Sequence, residues 1–427
     1  MSNVFTVRNF RLVYFGALVS ELGTVLYSFA VSFYILEITD NNAFLQGLYL
    51  ALCGVVLLCI TPIGGVLGDR YNKAAIMSIC DYLKGAIIIL ATLGMLMLRT
   101  EREHLVILFV AGILGNAVSG IFSPAAGSLL PHIVDENSLQ QANAYYSVKN
   151  SLQSIFGVVL AGVLYSVLSI TTLFLIVGIC YILSGISEMF IRYYYVKPTN
   201  KLSLKVVVSD MGEGFRYLMT KRAIMVLMGA ILFINFFFHP LTGNFLPYFI
   251  KTDLAGSGSY LFDSFLTPEQ WSSSLSMLFG VASLFTSFFI SARPQEEKVG
   301  RKTAVKIGVM AVVIIIYSIC YWVLVERGTS LNSFLVVLIF GFLTIGCLIP
   351  MINIPVGTTI MRIVDKDKLS KVTSITSIIS QGLIPISSVV AGAVIQFWGT
   401  SVLLFMCSAG FAVTTLFMLL SREVGNV

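Results

Sequence analysis

The chain has 427 residues, of which 57% are hydrophobic and only 11% are charged, and its mean hydropathy is +0.91. A soluble globular domain carries charge on roughly a quarter of its residues. This composition therefore excludes a water-soluble fold and predicts a polytopic membrane protein. The formal net charge is +6, and the placement of the basic residues, described below, explains this excess without a nucleic-acid partner.

Twelve apolar segments are long enough to cross a bilayer, since a membrane helix needs about 20 apolar residues. Short polar breaks at Ser169-Ile170-Thr171 and Trp398-Gly399-Thr400 divide the two longest apolar runs. The sequence therefore predicts an all-α polytopic protein with twelve transmembrane helices. The predicted spans are 11–36, 43–67, 75–98, 105–126, 142–166, 171–191, 223–250, 271–292, 304–325, 331–358, 370–396 and 400–421.

The basic residues are divided unequally between the two sets of loops. Twelve spans place both chain ends on one side, and that side receives 22 of the 27 Lys and Arg residues, with Lys149 counted at the edge of the fifth span. Basic residues remain in the cytoplasm. We therefore expect both termini to be cytoplasmic, in a multi-pass protein of the cell membrane, where membrane lipids surround it.

The chain also contains an internal repeat. IVDENSLQQANAYYSVKNSLQSIFGVVLAG at 133–162 aligns without gaps on IVDKDKLSKVTSITSIISQGLIPISSVVAG at 363–392, an offset of 230. Both copies run from a loop into a span at the same place in a six-span unit, which favours two pseudo-symmetric six-helix bundles. We predict an N-terminal bundle at 1–191, a cytoplasmic linker with a short amphipathic helix at 192–222 and a C-terminal bundle at 223–427.

The loop after the second span carries a family signature. Its sequence, GGVLGDRYNKA from Gly64 to Ala74, resembles the corresponding loop of the major facilitator superfamily. The resemblance implies a cytoplasmic gate that holds the two halves together in the outward-facing state. The gate residues would be Gly65, Gly68, Asp69, Arg70 and Lys73.

Three further stretches are similar to the macrolide-efflux and enterobactin-exporter-like branch: FRLVYFGALVSELGTVLYSFA, SPAAGSLLPHIVDENSLQQAN and DMGEGFRYL. This resemblance implies a monomer that alternates between inward-open and outward-open states. It would export a small amphipathic molecule against protons, with the proton gradient as energy source. The sequence departs from the family at ARPQEEKVGRKT, which lacks the second gate motif, and at Gly157-Val158, where antiporters carry Gly-Pro.

One carboxylate lies in the middle of the first span. In ALVSELGTVLYSF, Glu21 follows about ten residues after the charged end of the span, which is close to the bilayer midplane. An ionised acid there costs a few kcal/mol, so it must face water, pair with a cation or be protonated. We expect a proton carrier, an anchor for a cationic substrate, or both; the alternative is a permanently protonated carboxyl bonded to a neighbouring helix.

Other polar residues also lie within apolar spans. Asp81 and Lys84 share one helix face, which favours a structural or gating ion pair over a proton relay. Glu188 and Arg192 are four apart and predict an ion pair at the cytoplasmic interface without a transport role. Asn235, His239 and Asn353 are further candidates for proton coupling or substrate contact; the alternative for His239 is a neutral ring bonded to the next helix.

Several function classes are excluded or kept as rivals. No GxxxxGK[ST] loop supports ATP-driven transport, and no nucleophile–base pair indicates an enzyme. The seven cysteines lie in apolar runs without CxxC spacing, so we expect neither a metal nor another cofactor. A lysophospholipid flippase or a nutrient symporter on the same fold is one rival to export. A non-transporting membrane sensor is the other.

The charge distribution makes the topology testable by reporter fusions. A fluorescent protein that folds only in the cytoplasm should be bright when fused after Leu420, and alkaline phosphatase should be inactive there. Both readouts should reverse for fusions that end near Arg102, in the loop with few basic residues. An active phosphatase after Leu420 would contradict the predicted orientation.

Overall fold

The computed structural model describes residues 4–98, 100–134, 152–193, 219–291, 299–363 and 378–421. It also describes the separate positions 142, 145, 146, 149, 150, 212, 215 and 216. Throughout these residues the regular structure is helical and contains no strand. The predicted all-α class is confirmed.

Within the described residues, twelve principal helices, α1–α12, follow in chain order. In the described residues eleven helices are long and apolar enough to cross a membrane, and a shorter apolar helix, Ile155–Val167, lies in the predicted fifth span. The bounds are α1 Arg8–Ile38, α2 Ala43–Arg70, α3 Lys73–Met97, α4 Glu101–Ile133, α5 Val158–Val167, α6 Ile170–Met189, α7 Arg222–Pro240, α8 Pro268–Ser291, α9 Val299–Cys320, α10 Leu331–Ile363, α11 Ile384–Trp398 and α12 Thr400–Leu420.

The two breaks predicted inside the longest apolar runs are helix boundaries. Ser169 caps α6, and its hydroxyl accepts a hydrogen bond from the backbone N–H of Thr172 at 3.3 Å. Gly399 separates α11 from α12 with φ +93°, a conformation that glycine adopts at little cost. Both turns arise from local chemistry, which is why the sequence located them.

The seventh span is longer and less regular than predicted. Pro240 removes a backbone donor at the end of α7, and a π-helical turn, Leu241–Phe245, follows directly. A second π-helical turn, Ile250–Leu254, leads to a span that ends at Ser257 rather than near 250. Pro240 therefore marks a local change of helix type.

The chain divides into two compact units. One comprises Met1–Asp40 and Leu52–Val207, and the other comprises Asn41–Ala51 and Val208–Val427. Within the first, α6 packs against α1 and α3; within the second, α12 packs against α7 and α9. The first turns of α2 thus group with the second unit. The domain limits derived from the sequence stay predictions.

The two units pack equivalent helices in the same register. In the first unit the Ser78 hydroxyl of α3 donates to the carbonyl of Gly185 in α6 at 2.8 Å. At the offset of 230 these positions are Gly308 in α9 and Thr415 in α12. They also face each other, since a Cβ on Gly308 would lie 3.2 Å from Thr415 Cγ2. The repeat seen in the loops therefore extends to helix packing.

One glycine of the Gly64–Ala74 motif, which lies inside α2, allows a close helix contact. A Cβ on Gly64 would overlap the carbonyl oxygen of Gly120 in α4 and lie 2.7 Å from Ile121 Cα. Backbone atoms cannot move aside as a flexible side chain can. The next residue, Gly65, has nothing within 4 Å of the same position, so the close approach belongs to Gly64 rather than to Gly65.

This difference predicts opposite effects for two adjacent substitutions. Gly64→Ala should lower the melting temperature and the yield of purified protein, because α2 and α4 must separate. Gly65→Ala should be neutral or slightly stabilising, since alanine favours a helix by up to about 1 kcal/mol over glycine. Thermal unfolding in detergent compares the two. Equal melting temperatures would contradict the contact.

Candidate functional site

Glu21 lies in the middle of α1 and forms an ion pair. It follows Arg8, the first residue of the helix, by thirteen positions, or about 20 Å along the axis. Lys149 Nζ lies 2.6 Å from Glu21 Oε1. The lysine side chain is only 1% exposed, whereas the glutamate side chain is 36% exposed. The two side chains of this pair therefore differ strongly in burial.

The position of Lys149 corrects the sequence-based assignment. That residue was counted among the basic groups at the cytoplasmic edge, but the structure buries it against α1. Its ammonium also lies 4.9 Å from the centre of the Tyr146 ring, a favourable cation–π distance. A single lysine inside the apolar segment 142–166 was the signal that the sequence carried and that we did not use.

This geometry makes Glu21 an acceptor for one cation at a time. A buried ammonium ion needs a counter-charge, because a charge without one is strongly disfavoured away from water. Glu21 supplies it while remaining about one-third exposed. A proton or a second cation arriving from the exposed side would compete with Lys149 for the same carboxylate.

The predicted pair in α3 is more deeply buried. Asp81 is 0% exposed and Lys84 is 7% exposed, with Lys84 Nζ 3.7 Å from Asp81 Oδ1. The ammonium also faces Phe122 of α4, at 4.4 Å from the ring centre. Ser184 of α6 lies beside the aspartate. Whether this pair gates transport stays a prediction.

Glu188 does not lie at an interface with water, which corrects a second expectation. Its side chain is 0% exposed, and in the described part of the chain no hydrogen bond reaches either carboxylate oxygen. The groups that act on it electrostatically are Asp81 and Lys84 rather than Arg192. The i to i+4 spacing suggested the wrong partner, because α6 ends at Met189 before another turn can form.

In the second unit two of the candidate polar residues contact the span Ile378–Trp398, which contains α11. Asn235 Nδ2 donates to the carbonyl of Ser380 at 2.9 Å, and His239 Nδ1 lies 3.3 Å from Ser388 Oγ. Asn353 is exposed on α10. The contact of His239 is the one expected from a ring bonded to the next helix, and the coupling roles of all three residues stay predictions.

Helices α1 and α7 contact corresponding positions on α6 and α12. A Cβ on Gly23 would lie 3.3 Å from Cys180 Cβ, and a Cβ on Gly410, the repeat counterpart of Cys180, would overlap the ring of Phe237. Helix α7 therefore packs against the part of α12 that corresponds to the part of α6 against which α1 packs.

The residues of the predicted gate are placed only in part. Lys73 is buried, and its Nζ donates to the carbonyl of Gly68 at 2.6 Å. Its backbone N–H donates to the Tyr193 hydroxyl at 2.8 Å. Asp69 and Arg70 end α2, and their side chains lie outside the described residues. The gate as a whole stays a prediction.

The described residues contain no metal centre, and the cavity beside the π-helical turn of the second unit is small. No group of three His, Cys, Asp or Glu side chains among the described residues could hold a metal ion. A cavity of about 20 Å³ lies in the second unit, and Phe238, Thr242, Tyr317 and Phe342 belong to its lining. That volume admits about one water molecule, so the cavity is too small for an organic substrate.

The family follows from a match over most of the chain. Residues 13–388 match the model of the Major Facilitator Superfamily. The chain belongs to the major facilitator superfamily. It is therefore a membrane transporter of the MFS type, and the Gly64–Ala74 motif was sufficient to find the superfamily from the sequence.

Curated relatives agree at the level of the superfamily. The chain is 22% identical over 397 residues to the uncharacterized MFS-type transporter YvqJ of Bacillus subtilis (strain 168), covering 92% of this chain and 87% of that protein. It is 23% identical over 256 residues to the uncharacterized MFS-type transporter YkuC of the same organism, covering 58% and 57%. The macrolide and enterobactin branch therefore stays a proposal.

Solved structures share the superfamily fold at low identity. A bacterial homologue of the iron transporter ferroportin, in an inward-facing state, has a TM-score of 0.72 and 14% identity, with 98% of this chain and 99% of that chain covered. The nucleoside transporter NupG has a TM-score of 0.74 and 11% identity, with 96% and 99% covered. These likenesses show the fold alone.

The unequal burial of the ion pair predicts unequal mutational costs. Glu21→Gln should lower the unfolding free energy by about 1–3 kcal/mol, because it leaves the buried Lys149 without a counter-ion. Lys149→Met should cost less, since the partly exposed Glu21 can be solvated or protonated. Thermal unfolding of the purified variants measures both.

The double variant Glu21→Gln/Lys149→Met provides the control. It should be more stable than Glu21→Gln alone, because no buried charge is left unpaired. Additive costs, or a larger cost for Lys149→Met than for Glu21→Gln, would contradict the pair.

Proposed function

We propose that this transporter exports a small amphipathic or hydrophobic compound in exchange for protons, by alternating access across the cell membrane. The observation that supports this proposal is the Glu21–Lys149 pair, in which a partly exposed carboxylate neutralises a buried ammonium ion. The chain acts as a monomer with both termini in the cytoplasm, and Glu21 is the coupling residue.

Competition for one carboxylate couples the two fluxes. Glu21 can be neutralised by Lys149, by a proton or by the positive group of a substrate, but by only one of these at a time. When a proton binds, the attraction for Lys149 is lost, and a cationic substrate loses its anchor. If the protein changes state only when a proton or a substrate occupies Glu21, this mutual exclusion leads to exchange in opposite directions, which is antiport.

The free energies involved are large enough to drive a conformational change. Removing one partner of a fully buried ion pair costs about 3–5 kcal/mol, and the partial exposure of Glu21 reduces this value. Even about 1.4 kcal/mol changes an equilibrium tenfold. Protonation of Glu21 therefore shifts the balance between two states that differ in the environment of Lys149.

The same pair limits the chemistry of the substrate. A carboxylate in an apolar helix favours a compound with one basic group on a largely apolar body, because the group pairs with Glu21 while the body stays out of water. Macrolides carry a basic amino sugar on an apolar ring. The resemblance of three stretches to macrolide-efflux proteins supports this substrate class over a siderophore, which is acidic.

The proposal is tested first in cells. Expression of the protein in a drug-sensitive strain should raise resistance to basic macrolides or to cationic dyes, and the variant Glu21→Gln/Lys149→Met should abolish this gain. A compound identified in this way is then assayed in proteoliposomes with an imposed pH gradient. Export requires that it accumulate against the movement of protons and that the double variant show no driven accumulation.

The double variant is used because it leaves no unpaired buried charge. Reconstitution at the same yield as the parent protein separates loss of coupling from loss of folding. Accumulation in the same direction as protons would identify a symporter, and equilibration of a fluorescent lysophospholipid between leaflets would identify a flippase. Absence of any flux would favour a sensor. Each of these results contradicts export.

A further inference from the structure

A second buried set of charged groups lies in the first unit, apart from the Glu21 pair. Asp81 and Lys84 belong to α3, and Glu188 lies one residue before the end of α6. Both carboxyls are 0% exposed and the lysine is 7% exposed. The set contains two acidic groups and one basic group, and the proposed exchange at Glu21 uses none of them.

The charges of this set do not balance if every group is ionised. In the described part of the chain, none of the four carboxylate oxygens of Asp81 and Glu188 accepts a hydrogen bond of normal geometry, and the hydroxyls of Ser20 and Ser184 that lie near Asp81 carry no charge. The ammonium of Lys84 is 3.7 Å from Asp81. Two ionised carboxylates would leave a net negative charge without solvation, which is strongly disfavoured. One additional positive charge is required, and a proton is the smallest that can supply it.

Among the described residues, the surrounding helices offer no second cation to this set. The other titratable groups whose fields overlap this set are the neutral side chains Cys80, Tyr146 and Tyr181. Glu21 also acts electrostatically on Tyr146. Lys149, the cation beside Glu21, is already paired with that carboxylate. From α1, Ser20 contributes a hydroxyl near Asp81, and α4 contributes the ring of Phe122 over Lys84.

Close helix packing holds the carboxyls away from water. A Cβ on Gly16 of α1 would lie 3.5 Å from Glu188 Cγ and 3.4 Å from Ser184 Oγ. That hydroxyl is also buried and unpaired among the described residues, so it can donate to a carboxylate or accept from a protonated carboxyl. A Cβ on Gly185 would lie 3.2 Å from the carbonyl oxygen of Ser78. The glycines bring three helices together around the two acids.

The second unit shows that this interface does not need charge in order to pack. At the offset of 230 the counterparts of Asp81, Lys84 and Glu188 are Ala311, Ile314 and Met418. All three counterparts are buried, with 4%, 0% and 1% exposure. Helices α9 and α12 pack there in the register that α3 and α6 use. Apolar residues can replace buried charged groups without loss of stability. Helix packing therefore does not explain why the first unit has charged residues at these positions.

We propose that Asp81, Lys84 and Glu188 form a second proton-binding site, which holds one proton shared between the two carboxyls. The proton adds to a carboxylate oxygen as an O–H group, and the site then contains one carboxylic acid, one carboxylate and one ammonium ion, with no net charge. Release of the proton leaves a net charge of −1. The site stands independently of the substrate and of the exchange proposed at Glu21.

Infrared spectroscopy tests this site directly. The purified full chain in lipid nanodiscs at neutral pH should show the carbonyl stretch of a protonated carboxylic acid, which shifts in deuterated water. Glu188→Gln should remove the intensity of one carboxyl, since Asp81 and Lys84 then balance each other. Asp81→Asn should remove the same intensity, since Glu188 and Lys84 then balance each other. The variant Glu21→Gln/Lys149→Met should retain it.

Two results would overturn the site. The first is the absence of the band from the unsubstituted protein at neutral pH. The second is a band that neither Glu188→Gln nor Asp81→Asn reduces. The infrared measurement does not depend on transport. A negative result in the proteoliposome experiment would therefore leave this site intact, and a negative infrared result would leave the proposed export at Glu21 intact.

The pH dependence of stability gives a second, independent measurement. The folded chain retains a proton that the unfolded carboxyl releases, so the unsubstituted protein should lose stability as pH rises through the range in which the site releases it. The folding equilibrium should change by up to about tenfold per pH unit for one proton. Glu188→Gln should remove this dependence and raise the melting temperature at alkaline pH.

A matched variant covers the case in which Glu188→Gln does not fold. The triple change Asp81→Ala, Lys84→Ile and Glu188→Met copies the residues of the second unit and should fold with a melting temperature that no longer falls at alkaline pH. The variant Glu21→Gln/Lys149→Met should keep the original dependence. If the triple variant keeps it as well, the proton is not bound at this site and the proposal is wrong.

Discussion

The free energy of a charge away from water is the constraint on which the interior of the first unit depends. Lys149 is 1% exposed, and an ammonium ion at that exposure requires an opposite charge within contact distance. Glu21 therefore cannot be understood alone, although it is the residue that stands out in the sequence. The pair joins α1 to the helix that carries Lys149, and whatever changes the charge of Glu21 must also change the surroundings of the lysine.

The two units share the same helix packing at α3/α6 and α9/α12 but have different residue types at the equivalent positions. The positions of Asp81, Lys84 and Glu188 in the first unit are occupied by Ala311, Ile314 and Met418 in the second. At these three positions, equivalent backbones thus carry a charged set in one unit and an apolar set in the other. Helix α7 differs from the helices of the first unit by its proline and by the π-helical turns that follow it.

The sequence was informative wherever the relevant physics is local. Apolar length predicted the spans, Ser169 and Gly399 marked two turns, and the glycine-spaced motif from Gly64 identified the superfamily. Glu21 stood out because a carboxylate is rare in an apolar segment. The i to i+4 rule failed at Glu188, because the spacing of two residues on one helix does not reveal a closer partner on another helix.

The sequence by itself determined the membrane class, the superfamily and the presence of costly charges within the spans, because composition, helix length and turn chemistry depend only on neighbouring residues. Only the tertiary structure decided how those charges are combined. Lys149 reaches Glu21 and Glu188 approaches Lys84 because helices distant in sequence pack side by side. The energy of a buried charge is set by the distance to its partner, which no single segment of the chain contains.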